Sequence, residues 1–401
     1  MIFFWFHVVL DIVMLALDAA WWVVTFRLTH KTLWRVLISL FMAVQMFSTA
    51  DELIGRVSSY GIDLSLYFPQ AVLAATVIWH YLALPLIVCA GFIWACVRFI
   101  RNRRRKKTTV KDALIPAPVT TDSVSRRQFI GACTALAPSL FTFGLTGIAM
   151  NQLNHFRVRR FNLSIPSLPK ALDGLTIAHV SDIHVGEWTH GRILKDLINT
   201  TNDLRADIVA ITGDTINFEI SDLPGAIDVI KKMESRYGTW MIEGNHDLYD
   251  DAVGFERQVK ASGIPLLLDE SAMARIRGCP VQFFGIRWME GGSRDQITAL
   301  QVRGLMEQRQ PDAFPIFLAH HPHAFDAAIE ANLPLTLTGH THGGQLMLDN
   351  QLGVGPAMFR YWSGLYQKKN SQLIVSNGVG NMFPIRMNAP AEIVHLTLRS
   401  A

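Results

Sequence analysis

Four long apolar stretches fill the first 150 residues, at 2–26, 33–53, 68–99 and 129–150. Each meets the ~20 residues of helix needed to cross a bilayer core of ~30 Å. The spacing predicts four transmembrane helices, the third long enough to tilt and carrying Pro85 as a site for a kink. Past residue 170 the pattern changes. Short β-rich runs at 176–180, 208–212, 240–243, 281–286, 315–319, 335–338, 372–375 and 392–398 alternate with amphipathic stretches at 189–202, 224–235, 254–262, 298–308 and 322–330. That alternation predicts sheets covered by helices, an α/β domain over 171–401. Residues 151–170, broken by Pro166 and Pro169, read as a linker.

Charge sharpens this division. The formal net charge is +4, yet residues 1–150 carry 14 Lys+Arg against 7 Asp+Glu, and the remainder 23 against 26. The basic excess therefore belongs to the apolar part. The acidic second part lacks the basic face of a nucleic-acid surface. The first connection holds Arg27, Lys31 and Arg35, and the second Arg56 beside Asp51, Glu52 and Asp63. The third, 101–127 with Arg98 at its edge, is strongly basic. Positive loops stay cytoplasmic, so four spans place everything after Met150 on the external side of a bacterial inner membrane. Ser125-Arg126-Arg127-Gln128-Phe129-Ile130 resembles a twin-arginine export signal, in an internal position. Its arginines equally serve as anchors for a fourth span over 128–150, and Gly147 and Ala149 form a weak cleavage site. Four cysteines exclude a disulfide scaffold, with Cys279 alone in the second half. Arg157, Arg159 and Arg160 either solvate the surface or meet anionic headgroups.

Within the first apolar stretch, His7, Asp11 and Asp18 share one helix face, and His80 in the third is a candidate partner. Ionisable groups in a span raise a proton or ion path as one reading. A polar seam between helices is the simpler one, because nothing else in the stretches organises around them.

The chemistry gathers where the expected strands end. Asp182 and His184 follow the first, Asp214 the second, and Asn245, His246 and Asp247 the third. His320 follows 315–319, and His340 and His342 follow 335–338. Ligands of α/β sheets bind beyond the carboxyl ends of strands, so one edge would collect these groups. Imidazoles, carboxylates and one amide oxygen suit zinc, manganese or iron. Asp-x-His and Gly-His-x-His each let two side chains reach one ion.

These residues resemble the calcineurin-like metallophosphoesterase superfamily over 172–398. The resemblance rests on Asp173-Gly174-Leu175, Ser181-Asp182-Ile183-His184, Gly339-His340-Thr341-His342-Gly343-Gly344-Gln345, Ser363-Gly364-Leu365-Tyr366, Ser376-Asn377-Gly378-Val379-Gly380 and Pro384-Ile385-Arg386. These motifs look like its bacterial membrane-linked or exported branch. The resemblance implies a four-layer αββα sandwich behind an all-α membrane domain. It implies one metal ion on Asp182, His184, Asp214 and His342, and another on Asp214, Asn245, His320 and His340. Two such cations lower the pKa of a bridging water and clamp phosphoryl oxygens during in-line attack. His246 would then act as general acid, or alternatively orient a neighbour. Where many relatives carry an aspartate paired with this histidine, Asn217 stands here, with Asp247 and Asp250 as substitutes to consider.

His321 and His323 are expected at the rim, and His179, His190 and His395 in structural or surface roles. Arg287, Trp288, Tyr361, Trp362, Tyr366 and Arg386 are candidates for an aromatic and cationic lip. The expected function is a membrane-anchored, metal-dependent phosphoesterase acting on a phosphodiester or pyrophosphate, lipid-linked or of the cell envelope. Its partners would be the bilayer and a phosphorylated substrate. Alternatives are a non-enzymatic membrane sensor of a phosphorylated ligand, or a regulator of a transport or redox role of the spans.

Overall fold

The computed structural model describes residues 2–29, 31–58, 69–105, 126–153, 156–289, 294–349 and 351–401. Two compact units divide at Ala149 and Met150.

The first unit is helical: α1 (Ile2–Leu28), α2 (Thr32–Ser58), α3 (Gln70–Ile78), α4 (Leu84–Arg105) and α5 (Arg126–Leu153). Among the described residues, four helical stretches are long and apolar enough to cross a membrane: Val8–Leu28, Thr32–Asp51, Gln70–Arg103 and Phe129–Leu153. The third joins α3 to α4 through a wide π-helical turn, Trp79–Ala83. Pro85 supplies the reason. Its missing N–H and its ring disturb the carbonyl four residues back, and a wider turn accommodates both. Leu84 N–H accordingly bonds Trp79 O. The kink expected at Pro85 is thus a π segment just before it. The 59–68 and 106–125 connections and the His7, Arg126 and Arg127 side chains lie outside the description.

The second unit has two mixed sheets. One runs β1 (Phe156–Ile165), β11 (Ala391–Ser400), β2 (Thr176–Val180), β3 (Ile208–Thr212), β4 (Thr239–Ile242). The other runs β5 (Glu270–Ile276), β6 (Cys279–Gly285), β7 (Phe314–Leu318), β8 (Leu335–Thr338), β10 (Ser371–Val375), β9 (Gly364–Lys368). Side chains alternate between faces along each strand. Ile208, Ala210, Trp240 and Ile242 therefore meet Phe283, Ile316, Leu318, Leu337 and Ile374 between the sheets. Val209, Ile211 and Met241 face outward onto α6 (Arg192–Asp203), α7 (Leu223–Lys231) and α8 (Ala252–Ser262) through Leu197, Val229, Ile230 and Phe255. Phe284, Phe317 and Leu373 cover α9 (Arg294–Glu307) and α10 (Ala324–Glu330) through Val302, Leu305 and Phe325. The result is the expected αββα order of layers.

One expectation fails. Half of the 151–170 segment is not linker but β1, which pairs in parallel with β11 over ten residues. Its arginines are structural rather than headgroup ligands: Arg157 and Arg159 both hold the fully buried Glu392, and Arg160 meets His395. Strands β5 and β9 and the short α11 (Val354–Met358) also escape the periodicity.

Candidate metal centre

Strands β2, β3 and β4 run parallel, as do β7 and β8, so their carboxyl ends collect at a common edge of each sheet. The backbone turns sharply as it leaves them. Asp182, His184, Asp214, His340 and His342 all have positive φ, between 47° and 71°. Asp and His tolerate this left-handed region better than most side chains, and such positions concentrate where a site must be aimed. Gly244 and Gly339 permit close approaches at this edge: a Cβ at either would collide with the Asp214 or Asp182 carboxylate.

All seven expected ligands converge. His184 Nε2 lies 3.0 Å from His342 Nε2 and 3.6 Å from Asp214 Oδ2. His342 Nε2 lies 3.6 Å from Asp182 Oδ1. On the other side, His320 Nε2 lies 3.1 Å from Asp214 Oδ2 and 3.3 Å from His340 Nδ1, which is 3.0 Å from Asn245 Oδ1. Donor atoms bound at ~2.1 Å to one cation stand ~3.0–3.5 Å apart in tetrahedral or octahedral geometry. Four of the six spacings fall in that range and two, at 3.6 Å, lie just beyond it, in two adjoining sets that share Asp214 Oδ2. A buried His184 Nδ1 lacks a hydrogen-bond partner. This donor set fits two divalent ions.

Surrounding groups hold the donors in place. His320 Nδ1–H donates to Thr212 O (2.6 Å), turning Nε2 inward. The main-chain N–H of His340 donates to the Asp182 carboxylate, and that of His246 to Asp214 Oδ1 (2.8 Å). Arg386 is not part of a lip. It is fully buried, donates to the carbonyls of Asn377, Gly380 and Ala389, and faces His342 Nδ1 at 3.2 Å.

Burial sets much of the electrostatics. It pushes His184 down to about 3 and His342 well below the usual imidazole range. It raises Asp182 to about 7 and, with help from the Asp214 charge, Asp247 to about 8. At Asp214 burial acts upward, but His320, His184 and His246 outweigh it and hold the carboxyl well below its ordinary value. At His320 burial acts downward, but the Asp214 carboxylate overrides it and lifts the imidazole to about 9.

His246 sits beside this centre, grouped with His184 and Asp214. Its Nδ1–H donates to the main-chain oxygen of Asn217 at 2.5 Å. A carbonyl thus occupies the place of the absent carboxylate. Neither acidic substitute takes that role. Asp247 accepts from the N–H groups of Gly244, Thr215 and Ile216, and Asp250 from Ile220.

Of the other lip candidates, Trp288 packs near His320, His321 and His340, with ring centroids 5.1–6.0 Å apart. Arg287 is held by Glu256. Tyr361 is buried against Asp326, and Tyr366 receives the Trp362 N–H. His321, expected at the rim, is buried, its ring centroid 4.9 Å from that of His340 and 4.4 Å from that of His323. His179 is buried on Thr212, and His190 is exposed. The sequence reading missed Phe218, Tyr249 and Phe359. Phe218 stacks on Tyr249 beside His246, and Phe359 lies near His340 and His321. Their adjacency to motif residues was the available signal.

Residues 175–344 match the calcineurin-like phosphoesterase family. The chain is 26% identical over 348 residues to a transmembrane protein with metallophosphoesterase domain from Danio rerio, covering 80% of this chain and 75% of that one. A protein of the same description from Bos taurus is 29% identical over 287 residues, covering 67% and 63%. The uncharacterized metallophosphoesterase YkuE of Bacillus subtilis (strain 168) is 28% identical over 288 residues, covering 69% and 98%. Together with the fold and the converged donors, these similarities establish that the chain carries a calcineurin-like metallophosphoesterase domain and is a metal-dependent phosphoesterase.

Proposed function

We propose that the chain hydrolyses a phosphodiester or pyrophosphate of a lipid-linked or envelope compound, while its apolar helices anchor it in a bacterial inner membrane. The external side is the side of the catalytic domain in this reading. Basic residues at the α1–α2 connection and the end of α4 support that orientation. The single observation that carries the chemistry is the shared position of Asp214 Oδ2 between two donor sets.

In this reading Asp182, His184, Asp214 and His342 hold one ion, and Asp214, Asn245, His320 and His340 the other. When bound, a pair of cations supplies Lewis-acid stabilisation of phosphoryl oxygens and an activated water. The protein does the rest. Asp214 is aimed by the His246 N–H, so its second oxygen faces both sets. His246 keeps Nδ1–H on Asn217 O, leaving Nε2 to give a proton to the departing oxygen. Trp288 and Phe359 on one side, with Phe218 and Tyr249 on the other, supply aromatic walls for the organic part of the substrate. The helix α5 continues through Gly147 and Ala149, in keeping with a retained span rather than a cleaved signal.

The test is hydrolysis of an aryl phosphodiester by the purified full chain with manganese, iron or zinc. Asp214→Asn should reduce metal-stimulated turnover to background. Unchanged turnover would remove the proposal, and tight phosphate binding by the wild type without turnover would favour a sensor.

A further inference from the structure

The first unit contains a polar cluster that phosphoester chemistry does not use. Asp18 of α1, Thr49 of α2, and Trp79 and His80 of the π segment are all buried together. Trp79 Nε1–H donates to Asp18 Oδ1 at 2.7 Å. His80 Nε2 lies 3.0 Å from Asp18 Oδ2 and 3.1 Å from Thr49 Oγ1. The π turn matters here, because its altered winding lets two successive residues reach one carboxylate.

Counting hydrogens restricts the chemistry. His80 Nδ1 lies 3.0 Å from Thr76 O, which can only accept, so Nδ1 carries a hydrogen. The Thr49 hydroxyl donates to Gln45 O and presents a lone pair to Nε2. The contact between Nε2 and Oδ2 would then join lone pairs alone unless one further proton lies between them. Carboxylic acid with neutral imidazole, or carboxylate with imidazolium, both satisfy it. Losing that proton would leave an uncompensated carboxylate in an apolar bundle, which is costly.

A pair built only to tie helices together would have its neighbours satisfied. Here Gln45 Oε1 and Ser48 Oγ, on α2 in the turn that precedes Thr49, are buried without hydrogen-bond partners. Polar groups of that kind hold water. Asp11 lies two turns from Asp18 on the same face of α1, also buried, and extends the polar line. The other acids in the sequence of these two helices are Asp51 and Glu52 of α2. Tyr81 follows His80 on the π segment, and α5 brings the apolar Ala135 and Leu136.

We propose that Asp18 and His80 form a proton-binding site in the membrane unit, loaded and emptied through the polar line of Gln45, Ser48 and Asp11. The site rests on the reading of these helices as membrane spans. Its ligand is the proton.

The test uses the full chain in phosphatidylethanolamine–phosphatidylglycerol vesicles, with infrared difference spectra recorded across pH on carboxyl-labelled aspartate. Over the carboxyl background of the second unit, where Asp182 and Asp247 also titrate, the wild type should show a further band that comes and goes reversibly with pH. Asp18→Asn should abolish it, and His80→Gln should move its midpoint by about one pH unit or more. Thr49→Val, which keeps shape and folding, should move the midpoint as well. Identical pH-dependent spectra for vesicle-bound wild type and Asp18→Asn would overturn the proposal, as would a band that follows sodium at fixed pH. Release of the chain by alkaline carbonate would instead overturn the membrane reading beneath it.

Discussion

Asn217 illustrates how a substitution in sequence need not remove a function in space. Its main-chain oxygen, not its side chain, receives His246 Nδ1–H. Asn217→Ala should therefore change turnover by no more than a factor of about three, whereas His246→Ala should cost ~10²–10⁴ on substrates with poor leaving groups. Steady-state kinetics on alkyl and aryl diesters decides between them, and a large loss in Asn217→Ala would show that the amide matters. The same residues set a pH dependence. Asp182, raised to about 7, and His320, raised to about 9, must both lose protons to act as ligands. Both shed them as pH rises, so metal affinity of the metal-free chain should climb between pH 7 and 9. Titration calorimetry in buffers of different ionisation enthalpy should report proton release. Affinity flat across that interval would contradict these assignments.

Strand β1 shows why an element can be invisible in one-dimensional pattern. Five of its ten residues are apolar, three are basic and two are polar, as in a surface linker, and what makes them a strand is β11, more than 200 residues away. The two arginines neutralise Glu392, a carboxylate fully buried on β11. Replacing both Arg157 and Arg159 by Ala should destabilise the domain by ~2–4 kcal/mol, because the carboxylate loses its charged donors. A denaturant midpoint unchanged in the double variant would count against that account. By contrast β2, β3 and β8 were placed to the residue, since each is a short run rich in apolar and β-branched residues that stops at a Gly, Ser or Asp turn signal.

Across the second unit, the sheets bring ligands from five strand ends to one place, so metal and fold should support each other. With metal at ~1,000 times its Kd, each site adds ~4 kcal/mol to stability. Chelation should accordingly lower the thermal midpoint of the full chain as well as abolish hydrolysis, and re-addition of metal should restore both. Calorimetry with and without chelator is the measurement, and an unmoved midpoint would mean that the ions are absent or bind weakly. Much of this was legible in the chain itself. The four apolar stretches, the α/β alternation and the gathering of His, Asp and Asn at strand ends follow from local signals, hydrophobic period, segment length and short motifs, while the seven expected ligands came from the family resemblance of those motifs. Pairing partners were not legible. Contacts such as Arg157 with Glu392, Trp79 with Asp18, or His246 with the Asn217 carbonyl join positions far apart, and side-chain identity rarely specifies which distant group will lie within 3 Å; His80, named as a candidate partner of the α1 acids, is the exception. Sequence therefore settled which residues were chemically able to serve, through their own donor atoms and local periodicity. Folding settled which of them meet, because packing two sheets and winding one π turn determine distances that no local pattern encodes.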